Sequence, residues 1–466
     1  MTEQEQVSPA STTEAVLIFI GILAIIGPGL LVFEAAPQVP IFFVLLLLIA
    51  YSFMKRVPWN ETEQGIKKGI EAGIIPIVIF LLIGILISIW MSSGTIPSII
   101  YYSFQVIHPS IFVASIFVVT ALVGTAVGSS FTTASTVGVS FMALGALMDM
   151  NLALVAGAVV SGALVGDKMS PLSDTTNLAS SIAGVDLFEH IRHMLWTTIP
   201  AFFLCLGFYL IIGGGAATAD LSDLQTLMGD LRAEQIVHPL ALLPLLVIFI
   251  FAVMRVPAIP TIAAAIGAGL LTSLIFSPGY TMSEFLGFIQ AGYAPDTGNE
   301  QLNSILAQGG IESMMFALSL LILTLSMGGV LSSLGLIEQL MQAIRSFVQS
   351  TGRLVTSTVG TGIGINLLLG EQYMSVILTG KAYASKYAEL GLAQKNMSRA
   401  LENGGTLINA LIPYGVSGAF MASVLEVDVL AYAPFAVFCL IGPVLAILYG
   451  WINIGMAEAE NERKTT

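Results

Sequence analysis

The feature that most constrains this chain is a succession of apolar stretches from residue 15 to residue 452, each about as long as a bilayer-crossing helix. A hydrocarbon core of about 30 Å takes roughly 20 residues of helix to cross. Candidate spans cover 15–33, 39–54, 70–91, 110–127, 131–147, 152–165, 194–212, 240–253, 258–276, 313–331, 354–369, 373–387, 400–425 and 430–452, or 12 to 14 crossings because several are interrupted. Charged residues make up only 10% of the chain, where a soluble domain carries roughly 25%. That excludes a soluble enzyme, and the net charge of −13 leaves no basic face for nucleic acid. The chain reads as an all-α polytopic membrane protein. Residues 1–14 are acidic and lack the positive n-region of a signal peptide. Cys205 and Cys439 lie in apolar stretches and read as packed small residues.

The charges that remain are patterned. Gly69-Ile70-Glu71 returns 241 residues later as Gly310-Ile311-Glu312, and Ser92 to Gly94 returns as Ser333 to Gly335 at the same offset. The loop at 55–69 holds Lys55, Arg56, Lys67 and Lys68, whereas its counterpart at 277–310 holds no Lys or Arg. The next pair of connectors reverses in the opposite sense: 94–109 is free of positive charge, while 335–349 carries Arg345. By the positive-inside rule the partners sit on opposite sides of the membrane. With both termini in the cytoplasm, all but two of the 16 lysines and arginines fall on the cytoplasmic side. The exceptions are Arg232, in an acidic linker, and Lys168, at membrane depth. The expected organisation is therefore two inverted-topology repeats, 1–213 and 237–466, joined by an external linker at 214–236. Such repeats, with discontinuous helices at the midplane, are a secondary-transporter device.

Two segments in each half carry polar chemistry into apolar helices. Residues 162–181 read GALVGDKMSPLSDTTNLASS, and Pro171 breaks the helix where Asp167, Lys168, Ser173, Asp174, Thr175 and Asn177 lie. Broken backbone is tolerated in a membrane only when buried in protein or lining a wet cavity. Intramembrane carboxylates are costly and mark function by default. Asp167 and Asp174, flanked by hydroxyls and an amide, supply the hard oxygens that an alkali cation needs, so Na+ is expected at these two aspartates. The alternative is that Asp167 pairs with Lys168 or a helix end. Residues 124–137, reading GTAVGSSFTTASTV, are expected to break at Gly128-Ser129-Ser130 and add oxygens from Ser130 and Thr133; helix packing by small residues is the plainer reading.

The second half mirrors both breaks. At the 241 offset Ser130 meets Glu371, the best candidate for a second titrating carboxylate unless it pairs with Lys381 or Arg399. The segment 399–418 supplies Glu402, Asn403 and Asn409 as substrate or gating residues, with Glu402 placed near the cytoplasmic end where a surface role is equally open. Glu71 and Glu312 begin corresponding spans, and the four histidines show no metal spacing. No P-loop is present, since GTGIG at 360–364 lacks the following Gly-Lys-Ser/Thr, so ATP does not drive transport.

Gly166-Asp167-Lys168-Met169-Ser170-Pro171-Leu172-Ser173-Asp174-Thr175-Thr176-Asn177, with Gly370-Glu371-Gln372-Tyr373, Leu401 to Thr406 and Leu411-Ile412-Pro413, resembles the NhaC family of sodium/proton antiporters, which includes malate/lactate-coupled exchangers. The resemblance covers nearly the whole chain. It departs where family members often carry Asp in place of Glu371, and Trp-Asn-Thr in place of Tyr414-Gly415-Val416. It implies a prokaryotic inner-membrane antiporter that takes Na+, and Li+ as a further candidate, in exchange for H+. No cofactor and no enzymatic activity are expected, and a homodimer is implied by the resemblance alone. The runner-up is Na+/H+-coupled exchange of a small organic anion such as malate for lactate, with Lys168 neutralising the anion. A gated channel and an intramembrane enzyme are the remaining classes. For the enzyme, the sequence offers neither a nucleophile–base pair nor a metal motif.

Overall fold

The computed structural model describes residues 11–106, 108–213, 229, 231–232, 237–276, 280–295, 303, 306–345 and 349–459. Most of the acidic linker, with Asp220, Asp223, Asp230 and Glu234, lies outside these, as do Arg463 and Lys464. The described residues form helices joined by turns, with no β-strand beyond one isolated bridge between Leu392 and Glu458. Among the described residues seven helices have the length and apolarity to cross a bilayer, and nine do if two bent pairs each count as one span. The pairs are Gln394–Leu411 with Val416–Leu425, bent by 44°, and Val429–Phe435 with Val437–Ile452, bent by 58°. The larger number read from the sequence also took in three shorter apolar helices, Gln38–Met54, Phe112–Val127 and Pro239–Val253. Thr351–Leu369 and Gln372–Glu389, which it counted too, are studded with hydroxyls and amides.

Apolar side chains face two ways, as a bilayer solvent requires. Leu17, Phe203, Val253 and Ile275 are each more than 60% exposed on the outer faces. Phe80, Ile83, Trp90, Phe117 and Phe438 are buried in the largest core cluster. With lipid outside as apolar as the interior, helices associate by close packing of small residues. Two crossings show it. A Cβ on Gly69 of helix Trp59–Ala72 would sit 2.1 Å from the carbonyl oxygen of Leu325 in Met315–Ser333, and one on Gly166 would meet the Gly124 Cα at 2.5 Å.

The loop expected at 277–310 contains a helix, Met282–Ala291, that hydropathy missed because it is amphipathic. Its signal was local: Thr281 and Glu284 close a capping box, with the Glu284 carboxylate accepting from the Thr281 N–H at 2.6 Å.

Both breaks expected in the first half exist, and each has a partner of the same geometry. Helix Phe112–Val127 ends on Gly128 in the left-handed region (φ 76°), whose N–H reaches Gly124 O at 2.7 Å; Thr351–Leu369 ends on Gly370 (φ 62°), whose N–H reaches Asn366 O at 2.7 Å. Ser129 and Glu371 then cap the helices that follow. Likewise Ser170 and Ile412 end their helices in extended geometry, Ser173 and Gly415 open the next ones, and Gly184 and Glu426 close those in the left-handed region. From Gly128 to Gly370, Ser170 to Ile412, Ser173 to Gly415 and Gly184 to Glu426 the spacing is 242 residues. Only 241 separate the turn glycines Gly94 (φ 74°) and Gly335 (φ 67°). At the 242 spacing Glu371 stands opposite Ser129, in place of the Ser130 expected at 241, and Asp167 stands opposite Asn409.

Candidate functional site

Asp167 sits in the last turn of helix Leu152–Met169, and Ser130 in the first turn after the Gly128 break. The Asp167 Oδ2 accepts the Ser130 N–H at 3.2 Å and the Ser130 hydroxyl at 2.7 Å. The first break thus presents a helix N-terminus to a carboxylate carried by the second, which favours negative charge at that point. Asp174 opens helix Asp174–Ala183 and is exposed into a cavity of about 490 Å³ that Asp167 also lines. Ser130 and Thr175 line the same cavity, and the second half adds Gln372, Tyr373 and Arg255. Two carboxylates, the hydroxyls of Ser129, Ser130, Thr132, Thr175 and Thr261, an amide, a phenol and the Arg255 guanidinium therefore line the cavity between the breaks at Gly128, Pro171 and Gly370. Hard oxygens of this kind are the ligand type that alkali cations coordinate.

Other expected residues lie near this cavity but do not line it. Asn177 donates to the carbonyls of Pro171 at 2.9 Å and Ser173 at 2.7 Å, and so braces the break. Ser173 is fully buried and caps the next helix through the Thr176 N–H at 3.4 Å. Thr133 is fully buried and donates to Ser129 O at 2.9 Å.

Asp167 meets a helix end at Ser130, as the alternative reading holds, and does not pair with Lys168. The Lys168 amine is buried, donates to Asn403 Oδ1 at 2.8 Å and lies 5.7 Å from the Phe438 ring centre. Asn403 belongs to a π-helical turn, Glu402–Thr406, where each N–H reaches one residue further back than usual. Glu402 in that turn is 1% exposed, so it is not a surface residue; Thr406 donates to its Oε2 at 2.5 Å, and its Oε1 has no hydrogen-bond partner. Asn409 is buried too, and joins the Asn366 side chain at 2.9 Å to the Ser417 N–H at 2.7 Å. Through Ser417, which donates to Gln372 at 3.2 Å, this polar network touches the cavity wall. These residues tie the Lys168 helix and the second-half break into one unit.

Glu371 makes no ion pair with Lys381 or Arg399. Its oxygens accept the N–H groups of Tyr373 at 3.0 Å and Met374 at 2.6 Å, and the Arg399 guanidinium bonds the Gly455 carbonyl at 2.9 Å. Nor does Glu371 line the Asp167 cavity, although Gln372 and Tyr373, its neighbours in sequence, do. Sequence reading passed over Gln372 and Tyr373 even though both stood inside a quoted motif. It also missed Arg255, which it counted only as an orientation marker. Arg255 is held in the left-handed region (φ 58°) between a helix end and Val256-Pro257, a strained site for a non-glycine residue.

Among the described residues no group of three or more His, Cys, Asp or Glu is placed to hold a metal ion. His190 and His193 instead pin helix Leu187–Gly213 to Gln394–Leu401, through Ser398 at 2.7 Å and Asn396 at 3.1 Å.

The sequence profile of the Na+/H+ antiporter family matches residues 3–176 and 162–454. Over 452 residues the chain is 41% identical to the Na+/H+ antiporter NhaC of Alkalihalophilus pseudofirmus, covering 97% of this chain and 98% of that one. The protein of the same name from Bacillus subtilis is 40% identical over 442 residues, covering 94% and 97%. More distant is the malate-2H+/Na+-lactate antiporter of Bacillus subtilis, 33% identical over 364 residues and 78% of each chain. These relatives are transporters, not enzymes, and the match to the two NhaC proteins spans nearly the whole of the helical, multi-span chain described above. The chain belongs to the Na+/H+ antiporter family.

Proposed function

We propose that this protein exchanges Na+ for H+ across the prokaryotic cytoplasmic membrane by alternating access, with Asp167 and Asp174 as the site the two cations occupy in turn. The observation that carries the reading is the meeting of a helix N-terminus with the Asp167 carboxylate inside a cavity that Asp174 shares. A proton and a Na+ cannot both hold the same carboxylate oxygens, so binding one releases the other; that competition is the coupling step. The Ser130 hydroxyl and N–H orient Asp167, while Thr175 and Gln372 offer neutral oxygens. The repeated cap geometry, 242 residues apart, supports two related halves at 1–213 and 237–466, and the inverted charge pattern supports their opposed orientation with both termini in the cytoplasm. On that orientation Arg255 places the mouth of the cavity on the cytoplasmic side. The test is Na+-induced proton movement in proteoliposomes, which should be lost in Asp167→Asn and Asp174→Asn; full activity in both would refute the assignment.

Exchange of an organic anion is favoured by one observation. The cavity, at about 490 Å³, is far larger than a cation, and Arg255 on its wall suits a carboxylate. Malate- or lactate-dependent Na+ movement would support this second reading, and indifference to both anions would discard it.

A further inference from the structure

Away from the aspartate cavity, a cleft of about 370 Å³ takes its walls from both halves: Glu189, Arg192 and Trp196 from helix Leu187–Gly213, and Lys395 with Gly455 and Met456 from the second half. The helix is 27 residues long, so it rises about 40 Å, roughly 10 Å more than a hydrocarbon core. Its sequence shows where the excess lies. Glu189, His190, Arg192 and His193 fall in the first two turns, and the remainder to Gly213 carries no charge. Along one face of this helix, at spacings of four, three and four residues, stand Arg192, Trp196, Ile199 and Phe203, all exposed. A cation at headgroup level, an indole at the interface and apolar side chains beneath are what a phospholipid meets from phosphate to acyl chain. The Trp196 ring lies against the cleft floor, where a Cβ on Gly455 would meet it at 2.7 Å. The charges of the cleft are unbalanced. Lys395 pairs with Glu189 at 2.7 Å, which uses one of its three donors. Arg192 has no ion pair among the described residues. Beneath the floor Arg399, 2% exposed, donates to Gly455 O at 2.9 Å and to the Met456 sulfur at 3.1 Å, and no described carboxylate forms an ion pair with it. Three cations thus stand around one carboxylate.

We propose that this cleft holds the phosphate of an anionic phospholipid between Arg192 and Lys395, with the acyl chains running past Trp196, Ile199 and Phe203. On the charge-derived orientation the lipid belongs to the cytoplasmic leaflet, where anionic headgroups meet basic clusters of this kind. A soluble phosphate would use the same cations but none of the apolar face below them. A zwitterionic lipid brings an ammonium of its own, which the surplus of positive charge repels. The bound headgroup is a brace, because Arg192 belongs to the first half and Lys395 to the second. It ties helix Leu187–Gly213 to Gln394–Leu401, the segment that runs into the Glu402–Thr406 turn and, through Asn403, reaches Lys168 beside Asp167. Binding of the lipid does not depend on which cations the protein exchanges.

The experiment is native mass spectrometry of the full-length protein in detergent, titrated with phosphatidylglycerol or with phosphatidylcholine of the same acyl chains. The parent protein should bind its first phosphatidylglycerol roughly tenfold more tightly than phosphatidylcholine, and Arg192→Gln combined with Lys395→Gln should remove that preference. Arg192→Gln alone breaks no ion pair and should weaken phosphatidylglycerol binding roughly threefold, which keeps the test open if the double variant unfolds. The control is Lys67→Gln combined with Arg353→Gln, two exposed cations that do not line the cleft, and it should stay within about twofold of the parent. Glycerol 3-phosphate, which has the phosphate without the chains, should not displace the lipid. Equal affinity for the two lipids, unchanged binding in Arg192→Gln, or an equal loss in the control would each overturn the proposal. Displacement by glycerol 3-phosphate would overturn it as well, by making the cleft a site for a soluble anion.

Discussion

Ser130→Ala removes one atom from the proposed site and leaves the backbone that surrounds it in place. The lost hydroxyl donates to Asp167 Oδ2 at 2.7 Å, the shorter of the two bonds that Ser130 makes to that oxygen. The other, from the Ser130 N–H at 3.2 Å, remains, because alanine keeps the amide. A hydrogen bond to a charged group contributes about 1.5–3 kcal/mol, and about 1.4 kcal/mol corresponds to a tenfold change in affinity. With the N–H still in place the lower end applies, so the Na+ concentration for half-maximal exchange should rise roughly tenfold. Maximal exchange at saturating Na+ should change less than about twofold, since both carboxylates and the cavity are intact. The control is Thr133→Ala, three residues on. Thr133 carries the same kind of hydroxyl, but it donates to Ser129 O and does not line the cavity. Na+-induced dequenching of a pH-sensitive dye, titrated over Na+ in proteoliposomes, gives both quantities. Equal shifts in the two variants, or a change below twofold in Ser130→Ala, would refute the claim that this hydroxyl orients a cation-binding carboxylate.

Three further outcomes test the frame around the site. Asn177→Ala should lower the melting temperature in detergent, because the Pro171 carbonyl loses its side-chain donor and the Ser173 carbonyl keeps only the Asn177 N–H at 3.0 Å, at a cost of about 0.5–1.5 kcal/mol for each bond lost; an unchanged melting curve would show that the break needs no brace. Gly69→Ala should cut the yield of folded protein sharply, as its Cβ would lie 2.1 Å from a backbone oxygen, whereas Gly207→Ala, with nothing within 4 Å, should be neutral or slightly stabilising; equal yields would contradict the helix crossing. Asn403→Leu should destabilise the protein more than Asn403→Leu combined with Lys168→Met, because the single change strands a buried amine that the double change removes. A double variant less stable than the single one would refute that reading of the Lys168–Asn403 pair.

What was legible beforehand was whatever leaves a local mark. Apolar runs gave the helices, and glycine followed by polar residues gave the interruptions at Gly128 and Gly370. Pro171 marked the break beside Asp174. The positions that were misjudged depend on packing between segments far apart in sequence. Whether Ser130 or Ser129 stands opposite Glu371 turns on the single residue by which Gly335–Gly370 is longer than Gly94–Gly128, and no motif records that. Asn177, Ser173 and Thr133 look like ligands in a row of letters, but each side chain is taken up by its own break. Position along the chain puts Glu402 near the cytoplasmic end of its span. The bend of 44° between Gln394–Leu411 and Val416–Leu425 belongs to a segment that carries Glu402 fully inside. Arg255 escaped notice because only the meeting of two halves brings it to the cavity.

The central claim is that Asp167 and Asp174 are the residues on which Na+ and H+ compete. Isothermal titration of Na+ into the purified protein at several pH values tests it most directly, without any transport step. The parent protein should bind Na+ with release of protons to the buffer and with affinity that falls as pH is lowered, and Asp167→Asn should abolish both the binding and the proton release. Na+ binding in Asp167→Asn with unchanged affinity and unchanged proton release would contradict the account.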